Sequence, residues 1–175
     1  ALPEAAGRIT AMGGAIGVPG NLCCGTPPEF DGTQEFNFWI DPAATRTVIR
    51  HNPRPVRLVP LNATDNVPIT TEFIDRLRAD HRTPAADIVF EAFTHPDIQP
   101  LIEADLLFWW DPLAAMSAVH PGLVRYTSGR VDVITDGPAA GRIFLTATGR
   151  PIGYGVDADG ATFEERFLNT LNGRG

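Results

Sequence analysis

The stretch DPAATRTVIRHNPRPVRLVPL, residues 41–61, decides the fold because it joins a helix to a buried strand. Asp41 and Pro42 open the helix, since an aspartate oxygen can cap the first turn and proline fits the first helical position. Two prolines end the helix, and residues 56–61 form an apolar run typical of a buried strand. Helices that alternate with strands in this way predict an α/β protein.

The flanking sequence extends the same pattern. Residues 8–12 predict a short strand that Gly13 and Gly14 break, and residues 15–35 predict a long loop. Further helices are predicted at 71–77 with Thr71 as the cap, at 85–93, at 98–107, from Asp111 to 119 and at 163–171, and a β-hairpin at 130–135 and 142–148. We therefore expect a mostly parallel sheet flanked by helices, with an antiparallel hairpin at its edge.

Composition excludes several classes of partner. The 175 residues hold 14 basic and 21 acidic side chains, a net charge of −7, which argues against a nucleic acid or an anionic membrane as the partner. No apolar run approaches the ~20 residues of a membrane-spanning helix. Cys23 and Cys24 are adjacent, so neither a disulfide framework nor a zinc–thiolate site is predicted. We expect a soluble protein, either cytoplasmic or exported.

Two clusters of residues in the first part of the chain suggest a ligand site. Met12 and the two glycines end a strand, and Asn21 follows in the loop, where ligands of α/β sheets gather; a plain glycine turn explains the same residues. Glu35 and Asn37, two residues apart on an extended segment, would point the same way and grip vicinal sugar hydroxyls. The alternative for this pair is a polar surface near a helix start.

Two further clusters follow. Residues 62–66, Asn-Ala-Thr-Asp-Asn, come directly after the predicted buried strand and form either a pocket wall or a self-bonded loop. Trp109 and Trp110 precede Asp111 at a predicted helix start, where the helix dipole favours an anion that a cation could join and an indole could stack on a flat heterocycle. The alternative is a pair of core aromatics and an ordinary helix cap.

Other catalytic patterns are weaker. The four histidines show no ligand spacing with one another, and neither Ser117 nor Ser128 lies in a nucleophile elbow. The chain holds no lysine, which excludes a Schiff-base lysine from it. A serine or cysteine hydrolase is therefore not favoured.

Taken in order, these motifs resemble the nucleoside hydrolase family. The resemblance rests on Met-Gly-Gly at 12–14, Gly-Asn at 20–21, Asp-Gly-Thr-Gln-Glu-Phe-Asn at 31–37, Leu-Asn-Ala-Thr-Asp-Asn-Val-Pro at 61–68 and Trp-Asp at 110–111. It covers about the first two thirds of the chain. The aromatic residue before the aspartate is similar to the purine-preferring branch of the family.

The resemblance implies a role for each motif. Asp111 would be a ligand of Ca²⁺, while Asn21, Glu35 and Asn37 would bind the ribose hydroxyls. Met12 would touch the sugar through its backbone, and Trp110 would stack on the base, so that Trp110 and Asn37 carry the catalytic contribution of this chain. The implied reaction is calcium-dependent hydrolysis of the N-glycosidic bond of a small-molecule substrate, a purine ribonucleoside.

One departure from the family shapes the interpretation. The family's N-terminal strand ends in an aspartate cluster that supplies most calcium ligands and the catalytic base, and residues 1–175 contain no such cluster. We therefore interpret residues 1–175 as the C-terminal half of a nucleoside-hydrolase-like α/β domain, completed by a chain with the N-terminal half and able to form a homo-oligomer of that pair. The competing hypothesis is a non-catalytic nucleoside- or ribose-binding protein that has lost the metal and the base.

Overall fold

The computed structural model describes residues 7–22 and 30–174, so Cys23 and Cys24 lie outside the described residues. In chain order the elements are β1 (Ile9–Met12), α1 (Phe36–Ile40), α2 (Pro42–His51), β2 (Val56–Val59), α3 (Leu61–Thr64), α4 (Thr71–Ala79), α5 (Pro84–Phe93), α6 (Gln99–Glu103), α7 (Trp110–Val119), a 3-10 turn (Pro121–Leu123), β3 (Val124–Val133), β4 (Ile143–Leu145), β5 (Arg150–Ala158) and α8 (Gly160–Leu171). Within this part of the chain, no helix has the length and apolar character needed to cross a membrane.

The chain divides into two compact units. The first, called the sheet unit below, comprises Ala1–Thr64 and Trp110–Ala158. The second, called the helical unit, comprises Asp65–Trp109 and Asp159–Gly175. All six residues for which a site role is predicted fall in the sheet unit.

The sheet has the strand order β1-β2-β5-β3-β4. β1 pairs in parallel with β2, and β2 pairs in parallel with β5. β3 runs antiparallel to both β5 and β4. The predicted α/β fold with an edge hairpin is confirmed, because β3 and β4 form that hairpin and β4 lies at one edge; the sheet as a whole is mixed rather than mostly parallel.

The central strand β5 is the element that sequence patterning does not reveal. Its sequence, RPIGYGVDA, contains a proline and two glycines, which normally weaken a strand. Gly155 has a packing reason: a Cβ there would lie 2.7 Å from Val124 Cγ1 and 3.0 Å from Ala63 Cβ. The glycine therefore allows α3 and β3 to approach β5 closely.

The core of the sheet unit is formed by buried aliphatic side chains of the strands and α2. Its members include Leu58, Val131, Val133, Ile143, Ile152 and Ile49. Beside this core, Asp132 of β3 accepts hydrogen bonds from Arg46 Nε at 3.0 Å and Nη2 at 3.2 Å, and Arg50 lies 3.4 Å from the same carboxylate. The hydrogen bond from Arg46 is the main cause that lowers the pKa of Asp132 below its usual value. This ion pair joins α2 to β3.

The helical unit has an aromatic core around Trp109, which is 1% exposed. The rings of Phe73, Phe93, Phe163 and Phe167 lie with centroids 4.9, 5.2, 5.6 and 5.1 Å from the Trp109 ring. Trp109 is therefore a core aromatic residue, which was the alternative interpretation of the two adjacent tryptophans.

Two helix boundaries differ from expectation in the helical unit. The cap of α4 is Thr70, whose hydroxyl accepts the Phe73 N–H at 3.1 Å, and not Thr71. The helix predicted at 98–107 is the shorter α6, because Asp105 adopts a positive φ of 54° that ends the helical path.

Candidate functional site

The candidate site begins where β1 ends. Met12 is its last residue, and Gly13 and Gly14 follow with φ values of +148° and +86°, in the region that side chains disfavour. A Cβ at Gly13 would lie 2.4 Å from Phe38 Cε1. The two glycines are therefore required both for the turn and for the close approach of α1, as the glycine motif predicts.

Glu35 ties this turn to α1. Its side chain is buried, and Oε2 accepts the backbone N–H of Gly14 at 2.9 Å and that of Phe38 at 3.2 Å. Oε1 accepts the N–H of Asn37 at 3.0 Å. Glu35 is thus the N-cap of α1 and at the same time holds the glycine turn against that helix.

This arrangement corrects one expectation. Glu35 and Asn37 do not lie on an extended segment, because Asn37 is the second residue of α1 and only Glu35 has extended backbone angles. The carboxylate of Glu35 satisfies N–H groups of the first turn, so the helix starts immediately after it. The two residues are nevertheless neighbours, joined by the bond between Asn37 N–H and Glu35 Oε1.

Asn37 carries an exposed polar group next to Glu35. Its carboxamide Nδ2 donates to the sulfur of Met12 at 3.1 Å, which connects α1 to the end of β1. A thioether sulfur is a weak acceptor, so a hydroxyl could replace it at little cost. Asn37 therefore offers a donor and an acceptor at the carboxyl end of β1.

Asn21 lies beside the same segment. Its backbone N–H donates to Gln34 O at 3.1 Å, and its side-chain Oδ1 accepts the Phe36 N–H at 2.9 Å. The oxygen of the carboxamide is thereby fixed, and the Nδ2 is the donor that this side chain can present. Met12, Glu35 and Asn37 are thus joined by hydrogen bonds, and Asn21 is bonded to Gln34 and Phe36 of the same segment; these four residues are called the polar cluster below.

Trp110 and Asp111 enter the sheet unit on α7, which packs against β1 and β2. They are the first two residues of this helix; Trp110 is half-buried and Asp111 is exposed. Asp111 is therefore inside the first turn and not the cap, which corrects the expected helix start. An aspartate in the first turn is still favoured by the helix dipole.

Asn62 supports the loop that follows the glycine turn. Its Oδ1 accepts the Ile16 N–H at 3.0 Å and its Nδ2 donates to Ile16 O at 2.9 Å. The Asn62 carboxamide therefore bonds to both backbone groups of Ile16, in the place of a backbone hydrogen-bond partner. The sequence indicated residues 62–66 as either a pocket wall or a self-bonded loop, whereas residues 61–64 form the short helix α3 and Asn62 holds the loop that follows the glycine turn.

The described residues do not form a calcium site by themselves. Ca²⁺ takes six to eight oxygen ligands, usually including several carboxylates. In residues 7–22 and 30–174, no three His, Cys, Asp or Glu side chains are grouped so that they could hold a metal ion. A calcium ion bound through Asp111 would need most of its ligands from elsewhere.

The fold is that of an α/β protein, and the polar cluster lies at the carboxyl end of a parallel strand beside a glycine turn, the place where ligands of such sheets gather. Residues 1–165 match the sequence profile of the inosine-uridine preferring nucleoside hydrolases. The chain therefore belongs to that family. A comparison with curated protein sequences gave no match.

Solved structures agree with this assignment. The inosine-uridine preferring nucleoside hydrolase from Bacillus anthracis is 26% identical with a TM-score of 0.77, over 94% of this chain and 50% of its own. A plant nucleoside hydrolase is 22% identical with a TM-score of 0.79, over 95% of this chain and 54% of its own. The purine-preferring ribonucleoside hydrolase from Gardnerella vaginalis is 23% identical with a TM-score of 0.69, over 96% and 52%. This chain spans about half the length of the solved structures it matches.

Proposed function

We propose that this chain is the sugar-binding half of a nucleoside N-ribohydrolase, which cleaves the N-glycosidic bond of purine ribonucleosides to free base and ribose when a complementary half is present. The observation that carries the proposal is the polar cluster at the carboxyl end of β1 in a chain of this family. The half-length match to the solved structures supports the need for a complementary half.

In this proposal the amides of the polar cluster bind the ribose. Asn37 exchanges its bond with the Met12 sulfur for a bond to a ribose hydroxyl, and the Asn21 Nδ2 donates to another. The Glu35 carboxylate accepts three N–H groups and has about one acceptor position left for a hydroxyl, but its side chain is buried, so a ribose would have to displace part of its cover to reach it; its first contribution is to position Asn37. Met12 contacts the sugar through its backbone.

These contacts favour the transition state because positive charge develops on the ribose as the glycosidic bond breaks. Hydroxyl contacts that tighten when the ring flattens lower the barrier, whereas contacts of equal strength in the ground state do not. Trp110 would stack on the departing purine, where an indole face favours a protonated base through a cation–π interaction. Asn37 and Trp110 therefore carry the catalytic contribution of this chain.

Asp111 would be the ligand through which this chain binds Ca²⁺, and the acidic residues of the complementary half would supply the remaining ligands. The ion would hold the ribose diol and lower the pKa of a bound water when present. Asp111→Asn should then abolish the response of base release to added Ca²⁺ in the assembled enzyme. A variant with an undiminished calcium response would contradict this role.

The decisive experiment mixes this chain with the half of the Bacillus anthracis nucleoside hydrolase that it does not cover, and measures hypoxanthine released from inosine. Asn37→Ala should lower kcat/KM by about tenfold to a hundredfold, the loss of a hydrogen bond that strengthens in the transition state. Gln99→Ala removes a carboxamide from α6 in the helical unit and should leave the rate unchanged. No release of base by the mixture, or equal rates for both variants, would refute the proposal.

Trp110 is tested with two leaving groups. Trp110→Ala should lower the rate for inosine more than the rate for p-nitrophenyl riboside, whose leaving group departs without protonation. Equal losses for the two substrates would rule out base stacking as the role of Trp110.

A second function has one observation in its favour. Because the described residues lack a group of metal-binding side chains, a nucleoside- or ribose-binding protein without hydrolysis is the alternative. Calorimetry separates the two: the alternative requires that the chain alone binds inosine with the same affinity with and without Ca²⁺, and that no base is released.

A further inference from the structure

Gln34 is a buried polar residue that connects the segment of Asn21 to the segment of Glu35 and Asn37. It directly precedes Glu35 in the chain, and its side chain is fully buried. Its backbone oxygen accepts the N–H groups of Asn21 at 3.1 Å and of Leu22 at 3.4 Å. Because Gln34 is bonded to one segment and part of the other, its position sets the distance between the two.

The side chain of Gln34 extends to the loop between β3 and β4. Its Nε2 donates a hydrogen bond to the backbone oxygen of Pro138 in that loop. The same oxygen accepts the Asp31 N–H at 3.2 Å, so the loop holds both ends of residues 31–34. The loop thereby fixes the segment that leads directly into Glu35.

This loop, residues 134–142, is itself closed by backbone hydrogen bonds. Ile134 donates to Arg142 O at 3.0 Å, and Gly141 donates to Ile134 O at 2.8 Å. Gly141 is buried with a φ of +92°, and a Cβ there would lie 2.6 Å from Trp39 Cα, so the loop packs directly on the backbone of α1. The loop is therefore a fixed support for α1 and for the segment before it.

The carboxamide of Gln34 is not the group that stability alone would favour at this position. Its Oε1 is buried and has no hydrogen-bond partner within residues 7–22 and 30–174. A buried acceptor without a partner costs free energy, and Pro138 O keeps the bond from Asp31 even without Gln34. An apolar side chain of similar length would thus be tolerated in stability, but it would lose the bond that fixes the segment.

We propose that Gln34 is a positioning residue of the ribose site, which fixes the separation of Asn21 and Asn37 through its bond to Pro138. The proposal rests on the proposed function, in which the carboxamides of Asn21 and Asn37 donate to ribose hydroxyls. Two donors hold one sugar only when their separation is fixed, because a misplaced donor loses its contact. Gln34 itself is buried and acts through Asn21.

The kinetic test compares Gln34→Met with the unsubstituted chain, each mixed with the half of the Bacillus anthracis nucleoside hydrolase that this chain does not cover. Methionine has a similar length and lacks the donor to Pro138 O. KM for inosine should rise about threefold or more, because the ribose contacts are misplaced, whereas a mere loss of folded chain would lower kcat and leave KM unchanged. Gln99→Met, at an exposed glutamine of α6, is the matched control and should change neither constant.

Hydrogen exchange followed by NMR reports on the segment directly and needs no activity. In Gln34→Met the amides of Asn21 and Leu22 should exchange about tenfold faster, since their acceptor is no longer held in place. The Gly14 amide, which donates to Glu35, should exchange as before. Thermal unfolding checks that the variant is folded, and Gln34→Leu, which also lacks the donor, carries both measurements if Gln34→Met is not.

Either an unchanged KM or unchanged exchange at Asn21 and Leu22 overturns the positioning role of Gln34. Faster exchange at Gly14 also overturns it, because the whole site would then have loosened. If the unsubstituted mixture releases no base, the proposed function is refuted, and the exchange measurement alone decides whether Gln34 fixes Asn21. Base release with the same KM for Gln34→Met and the unsubstituted chain leaves the proposed function standing and overturns the positioning role.

Discussion

The three hydrogen bonds that Glu35 accepts, called the Glu35 clamp below, give the sharpest prediction about this fold. Glu35→Ala removes the acceptor of the N–H groups of Gly14, Asn37 and Phe38. The bonds from Gly14 and Phe38 are buried, so their donors are left without water as well as without a partner. At about 1–3 kcal/mol for each buried donor, we expect the free energy of unfolding to fall by about 2–6 kcal/mol.

Glu35→Gln gives an intermediate result. Its single amide oxygen can still accept from Gly14 and Phe38, but the amide nitrogen then faces the N–H of Asn37. We expect a loss of about 1 kcal/mol, close to that of a removed N-cap. The order of stability is therefore Glu, then Gln, then Ala at position 35.

Urea unfolding followed by circular dichroism measures these differences, and hydrogen exchange at the Gly14 amide reports on the clamp directly. Glu91→Ala is the control, since Glu91 is an exposed residue of α5 and its loss should change stability by about 0.5 kcal/mol or less. A Glu35→Ala chain as stable as Glu91→Ala, with unchanged exchange at Gly14, would refute the reasoning.

Three further perturbations test other parts of the structure. Asp132→Asn should lower the free energy of unfolding at pH 7, because the Asp132 carboxylate, whose pKa is held low mainly by the hydrogen bond from Arg46, stabilises the fold while it is ionised. The difference in stability between the two forms should shrink as the pH falls below about 4, and unfolding of both forms measured across the acid range tests it. Trp109→Ala should cost about 3–5 kcal/mol of unfolding free energy by emptying the aromatic core of the helical unit, and thermal unfolding should show it. Gly14→Ala should lower the free energy of unfolding by about 1–2 kcal/mol, because a side chain is strained at the φ of +86° that Gly14 adopts. An unchanged melting temperature would show that this strain is absent.

The start of α2 was predictable because its cap acts locally. Asp41 caps α2 through a bond from Ala44 N–H at 2.8 Å, and Pro42 occupies the first position, as the sequence indicates. β1 and β2 were likewise predicted within a residue or two of their observed ends. Apolar runs beside glycine or proline are sufficient evidence for such elements.

The strand β5 could not be predicted from its own residues. Its glycines and proline argue against a strand, and it forms because β2 and β3 bond to it on both sides. Long-range neighbours therefore override local propensity here. The same reason makes the sheet mixed: the orientation of β3 depends on a partner that the local pattern does not reveal.

The roles of the candidate site residues stay predictions, and their local structure differs from the one that the sequence predicts. The resemblance selects Glu35 and Asn37, and the structure connects them, yet through a helix cap and not along a strand. The adjacent residues Trp109 and Trp110 show a second limit of prediction from sequence. Trp109 is in an aromatic core and Trp110 is half-buried at the start of α7, a difference that depends on tertiary packing and not on adjacent residue types.

The position of β5 in the middle of the sheet has a consequence for how the chain acquires its structure during synthesis. β1 and β2 are synthesised before the rest of this sheet, yet β5 (residues 150–158) is the strand that pairs with both β2 and β3. Residues up to 158 must therefore leave the ribosome before the five strands can pair, and pairings this distant along a chain fold slowly. A premature stop before residue 150 would leave the parallel β1–β2 pair and the β3–β4 hairpin without the strand that pairs with both.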